Sequence, residues 1–324
     1  IPGHGTPTVI MVGRAAGPVR GTVRAVLGVR GEPDEPIDPS RGEVWRELLA
    51  HVDDPGWEGT FLATRDVDRS AFGSHPWQLR GGRIAELQGV LEQAPSQLSA
   101  RLLHPPGLSI RSGSDDAFAE PGPRVRPSIE DFLRPFVVGA MVRDWTIGQL
   151  PNVIYPYAGN GPSSPELQAA LWPLRTNLAA RRTFQGSMAD AGLEWTEYQQ
   201  HTRSAYASSE SLVVANISTH VECSFHVQPG VFKETVLVLK VRDRELGPGI
   251  QALLNSSSAC FWLKQVCYPK GGDKKGGTGA RVTGESWEER YSFNGANIAE
   301  VPLPERLPIS RGSRLRELAA AKSR

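Results

Sequence analysis

Cysteine is scarce. Cys223, Cys260 and Cys267 are the three in a chain of 324 residues. They are too few and too scattered for a disulfide framework. A reducing compartment is the simpler setting, and a secreted binding protein finds no positive feature. No apolar run approaches the roughly 20 residues that cross a bilayer, and no signal peptide is visible. No membrane partner is expected, and the expected location is cytoplasmic. The chain does not begin with Met, so the missing leader weighs little. A strong charge of one sign is absent too: the net charge is +1, which excludes a uniform polycation. No Gly-x-Ser-x-Gly elbow and no His-Glu-x-x-His pair occur.

The material for a core is present, since apolar residues make up 39% of the chain. Gly 34 and Pro 26 imply many turns and long connections. The charge is unevenly spread. Residues 1–31 carry Arg14, Arg20, Arg24 and Arg30 and no acid, whereas 32–69 are rich in Asp and Glu. The stretch 259–284 sets Lys264, Lys270, Lys274, Lys275 and Arg281 against Asp273 alone, and 305–324 is basic again. Such patches suit a polyanion or a plain solvated surface.

Hydrophobic periodicity predicts a mixed α/β (α+β) chain. TPTVIMVGR (6–14) and GTVRAVLGVRG (21–31) read as an antiparallel hairpin. Helices are expected over 43–52, 81–94 and 164–184, the last kinked at Pro173. Strands are expected over 59–68, 211–225 and 231–241. Pro248 opens a helix over 248–265, and a helix closes the chain. Pro- and Gly-rich clusters over 104–127 predict a domain boundary near 109.

The chemical motifs are weak when taken one at a time. GHGTPT (3–8) has the glycines of a phosphate loop, but it precedes a strand where a dinucleotide fingerprint follows one. HVECSFH brings His220, Cys223 and His226 close. On a strand the two histidines share one face and the cysteine takes the other, a poor closed metal site, so no metal is expected. The glycine-rich loop 270–281 is either a solvated hairpin end or a phosphate clamp. Arg181 and Arg182 are either phosphate ligands or ordinary helix C-terminal cations. Trp145, Tyr155 and Tyr157 near Arg143 and Asp144 are either a recognition surface or, as the commoner arrangement, buried packing with one internal ion pair.

Longer segments carry more. IPGHGTPTVIMVGR, VRAVLGVRGEP, DVDRSAFGSHPW, PFVVGAMVRDW, LWPLRTNLAARRTFQGSMADAG and LLNSSSACFWLKQ follow one another in order. Together they resemble the C-terminal half of large adenine-specific DNA methyltransferases. Those are the single-chain restriction–modification type and the PglX type of phage defence.

The resemblance implies the following. Residues 1–31 would be the terminal β-hairpin of a Rossmann-like methyltransferase sheet, and 32–109 an α/β insert or connector. Residues 110–302 would form a target-recognition domain similar to the TaqI-like specificity domain, and 303–324 a helical tail. The S-adenosylmethionine site and the Asn-Pro-Pro-Tyr/Phe catalytic motif would lie upstream of Ile1. The chain would then be an inactive fragment with no catalytic or cofactor-binding residue of its own. Its expected partners are double-stranded DNA and other phage-defence proteins. The loop Ile1, Pro2, Gly3, His4, Gly5 and Thr6 would line the pocket for the target adenine, rotated out of the duplex. Lys270, Lys274, Lys275 and Arg281, with Arg181 and Arg182 behind them, would hold phosphates. The acidic stretch 32–69 would face away from DNA. The competing reading is a stand-alone, non-catalytic binding or assembly module.

Overall fold

The computed structural model describes residues 9–13, 21–32, 36–73, 77, 84–119, 127–202, 210–227, 230–271, 274–275, 281–282 and 288–322. Two compact units divide the chain: Ile1–Ala94 with Gly271–Ser286, and Pro95–Lys270 with Trp287–Arg324. The break falls at 94/95 and not near 109. Leu98 and Leu102 explain why, since both are buried in the second unit. The Leu98 amide donates to the Val301 carbonyl and that of Leu103 to Lys240. The described cluster at 104–107 therefore lies inside a unit.

The first unit is built on a two-stranded ribbon. Thr22–Gly28 runs antiparallel to Leu62–Asp68, in register from Thr22↔Asp68 to Gly28↔Leu62. This corrects the expected hairpin. Residues 9–13 belong to no strand, Val9 through Val12 are exposed, and the rest of the expected partner lies outside the described residues. Charge chemistry favours the longer-range partner, because Arg24 and Asp66 face each other in register and pair at 2.5 Å. The helix Glu43–His51 starts on the Glu32 carboxylate, which accepts from the amides of Glu43 and Val44. An anion there satisfies orphan donors and complements the helix dipole. The acids of 32–69 are largely answered within the unit: Asp38 by Arg41, Asp54 by His51 and Glu58 by Arg65.

The second unit holds three-stranded sheets. In one, Ser211–Ala215 lies between Cys223–His226 and Val236–Leu239, both antiparallel to it. In another, Leu133–Val137 pairs in parallel with Val231–Phe232 and antiparallel with Asn152–Ile154. One apolar cluster gathers Phe118, Ile129, Phe132, Phe136, Ile154, Leu167, Leu171, Leu178 and Tyr198. A second gathers Val137, Val142, Val213, Ala215, Phe232, Val236 and Val238.

Pro173 breaks the long helix as expected. Pro165–Leu171 is followed by a 3-10 turn Trp172–Leu174 and by Arg175–Ala179. Ser164 caps the first piece by accepting from the Leu167 amide, and Pro165 takes the first position, where no N–H is needed. The C-terminal helix Ile309–Lys322 packs on Gly247–Leu254. A Cβ at Gly312 would run into the Pro248 carbonyl, so glycine is what lets the backbones close. Arg316 locks the pair, with its guanidinium 4.1 Å from the Phe225 ring centroid and its Nε donating to the side-chain Oε1 of Gln251.

Candidate nucleic-acid interface

Of the residues expected to touch DNA, Ile1 to Thr6 lie outside the described residues. Lys274–Lys275 and Arg281–Val282 form a short antiparallel ribbon with Lys275 opposite Arg281. This ribbon belongs to the first unit. Lys270, exposed near the end of the strand Tyr268–Gly271, belongs to the second.

Arg181 and Arg182 separate completely, although they are neighbours in sequence. The expected helix ends at Ala179. The chain then forms a hairpin in which Arg182–Thr183 pairs with Gly186–Ser187. Arg181 turns inward and is 7% exposed. Its Nε donates to the Leu178 carbonyl, Nη1 to Ser112, and Nη2 to Trp195 at 2.8 Å and Glu197 at 2.7 Å. Its guanidinium carbon lies 5.3 Å from the Phe118 ring centroid. Burial lowers its pKa to about 10, so it stays charged at neutral pH. Arg181 is therefore a tie between three chain segments, with no face left for a phosphate. Arg182 points outward and is exposed.

Arg182 lines a recess with Arg111, Thr183, Phe184, Gln199 and Gln200. Its far wall is a second ribbon, Ile110–Arg111 against Gln200–His201, in which Arg111 and Gln200 are direct partners. Gln199 joins the walls through its amide, which donates to the Arg182 carbonyl. Phe184 stands at the hairpin tip, 96% exposed. The cavity measures about 180 Å³, smaller than the roughly 300–1,000 Å³ of small-molecule sites. A methyl donor also brings a sulfonium cation toward two guanidinium groups. The recess does not fit S-adenosylmethionine.

Of the aromatic segment, Tyr155 and Tyr157 pack half-buried against the apolar cluster and Trp145 is half-buried outside it, and the ion pair differs from the expected one. Tyr155 and Tyr157 join Tyr198 and His201, with Tyr157 stacked on His201 at 4.6 Å. Arg143 does not pair with Asp144. It approaches Glu222 at 3.7 Å, while Asp144 meets His220 at 3.3 Å. Burial raises the pKa of both carboxyls. The hairpin at Asp144–Trp145 carries a left-handed Trp145, φ 69°. His220 sits in the turn before the strand Cys223–His226, so it shares no strand face with His226. Among the described residues no group of three potential ligands is placed to hold a metal.

No family model matches the chain. Across 98% of its length, over 336 aligned positions, it is 40% identical to the adenine-specific methyltransferase PglX of Streptomyces coelicolor. It spans 27% of that relative's length. The chain is thus related to part of an adenine-specific methyltransferase, in keeping with the resemblance read from its segments. Among solved structures it is similar to the type IIL restriction–modification enzyme MmeI in complex with DNA. That likeness has 14% identity and a TM-score of 0.46, and it covers 70% of this chain and 28% of that one. It is also similar to the type IIG restriction endonuclease BpuSI, with 11% identity and a TM-score of 0.45, covering 86% and 33%.

Proposed function

We propose that this chain is the DNA target-recognition part of an S-adenosylmethionine-dependent DNA adenine methyltransferase of restriction–modification or phage defence. The 40% identity to PglX across 98% of the chain carries the reading. The sequence itself contains no Asn-Pro-Pro-Tyr/Phe segment. Donor binding and methyl transfer are therefore assigned to the part of the parent enzyme outside this chain, and the chain alone transfers no methyl group. The parent works in the cytoplasm beside other defence proteins. Residues Ile1–Thr6 line the pocket of the extruded adenine, and 22–28 belongs to the ribbon that borders the methyltransferase sheet. Lys270, Lys274, Lys275, Arg281 and Arg182 hold phosphates.

Duplex binding measured against salt tests the assignment. Each neutralised phosphate releases counterions, so replacing both Lys274 and Lys275 with Ala should flatten the log–log salt slope by about two. An unchanged slope would favour the assembly module without a DNA role. Turnover by this chain with donor and DNA would refute the placement of catalysis elsewhere.

A further inference from the structure

The recess of the second unit joins groups that phosphate binding does not call for. Gln200 carries no charge and adds nothing to counterion release. Among the described residues, no hydrogen bond or ion pair engages the side chains of Arg111 or Gln200. An almost fully exposed phenylalanine at a hairpin tip leaves apolar surface in water until something covers it. Together these are the donors, acceptor and apolar contact that read base edges. Arg matches guanine O6 and N7, Gln matches adenine N6 and N7, and an aromatic ring packs on a thymine methyl group.

We infer that this recess is the base-reading surface of the chain. Arg111 and Gln200 take neighbouring purines from the major groove, and Phe184 packs against an adjoining base edge. The inference rests on the target-recognition function proposed above and names its specificity residues. Directly opposed residues in a ribbon stand about 4.5–5.5 Å apart at Cα, a gap that two long, flexible side chains converge across to reach bases about 3.4 Å apart along one strand. A two-stranded ribbon also fits the width of the major groove. The Arg181 tie and the Gln199 bridge hold both walls before any DNA arrives, so binding orders little that is not already ordered. Arg182 is assigned to phosphate above, which leaves Arg111 as the purine reader.

The experiment exposes the full 324-residue chain to a duplex pool with a randomised central segment and sequences the bound fraction. Wild type should enrich a motif. Arg111→Ala should relax one guanine position by about 5- to 150-fold, and Gln200→Ala one adenine position by a similar factor. Arg111→Lys keeps the charge but loses the two-pronged fork. It should relax the same guanine while its melting temperature stays at the wild-type value, which separates lost reading from lost folding. Lys275→Ala should weaken every sequence alike and leave the motif intact. If Arg111→Ala and Gln200→Ala also weaken every sequence by one common factor, the recess holds backbone and the inference fails. If both variants keep the wild-type motif and affinity, this site falls while the function stands. If wild type enriches nothing, the function falls and takes the site with it.

Discussion

In the second unit, five consecutive residues, Ser211–Ala215, are all buried. In the first, the helix Glu43–His51 contains no buried residue, and Trp45 and Leu49 are exposed. Both segments carry the apolar spacing that a sequence reading rewards. They differ in what surrounds them. Ser211–Ala215 has a strand on either side and apolar clusters against it. The described apolar core of the first unit comes down to Leu27, Leu62 and Ala63. Its order rests instead on surface ion pairs and on the carboxylates of Glu32 and Glu47. Exposed pairs contribute little, and a two-stranded ribbon is marginal by itself in water. Periodicity reports that a face is built to be covered, and only the tertiary partner decides whether it is.

The largest expected effect tests that contrast. Native-state hydrogen exchange should protect the amides of Ser211–Ala215 at least about ten-thousandfold more than those of Thr22–Gly28, because local opening follows buried contact. Equal protection would show that the ribbon is held as firmly as the buried sheet. Next in size is Arg181→Ala. It strips four backbone carbonyls of their donor and leaves a gap beside Phe118, and it should cost about 3–5 kcal/mol in denaturant unfolding. Arg182→Ala, one residue away, should stay within about 0.5 kcal/mol. If the two variants lose stability alike, the inward tie is absent.

That neighbouring pair shows where sequence reasoning reaches and where it stops. Local signals were legible: the Ser164–Pro165 start, the break at Pro173 and the buried runs Ser211–Ala215 and Val236–Leu239 all act within a few residues. Long-range pairings were not. The partner of Thr22–Gly28 is chosen by contacts such as Arg24 to Asp66, 42 residues apart, which no short window contains. The recess joins Arg111 to Gln200 by the same kind of pairing. Arg181 and Arg182 look equivalent as text. Only the helix phase, with Arg181 one turn beyond buried Leu178, hints that one of them turns inward.

A medium effect probes the second unit's own closure. Gly312→Ala sets a methyl group against the Pro248 backbone, where no flexible side chain can give way. Overpacking of this kind should cost about 1–3 kcal/mol, read as a lower Tm. Gly89→Ala, on the first unit's helix Ile84–Glu92, meets nothing within 4 Å and should be neutral or slightly stabilising. Losses of equal size would mean that both helices are packed alike.

The smallest effect comes from Glu222. Burial raises its pKa, Arg143, His220 and Arg290 pull it down, and Asp144 pushes it up. A carboxyl whose folded pKa lies above its unfolded one binds more protons in the native state. Its contribution is therefore fully present below the unfolded pKa and fades as pH rises through the folded value. Glu222→Gln removes the group that ionises. The variant should lose less stability than wild type between acidic and neutral pH, by less than about 1 kcal/mol given the solvent at its rim. Urea unfolding at several pH values separates the curves. A wild-type curve that rises across the same interval, relative to Glu222→Gln, would mean that Arg143 and His220 outweigh burial and that the second unit is electrostatically tighter here than its packing implies.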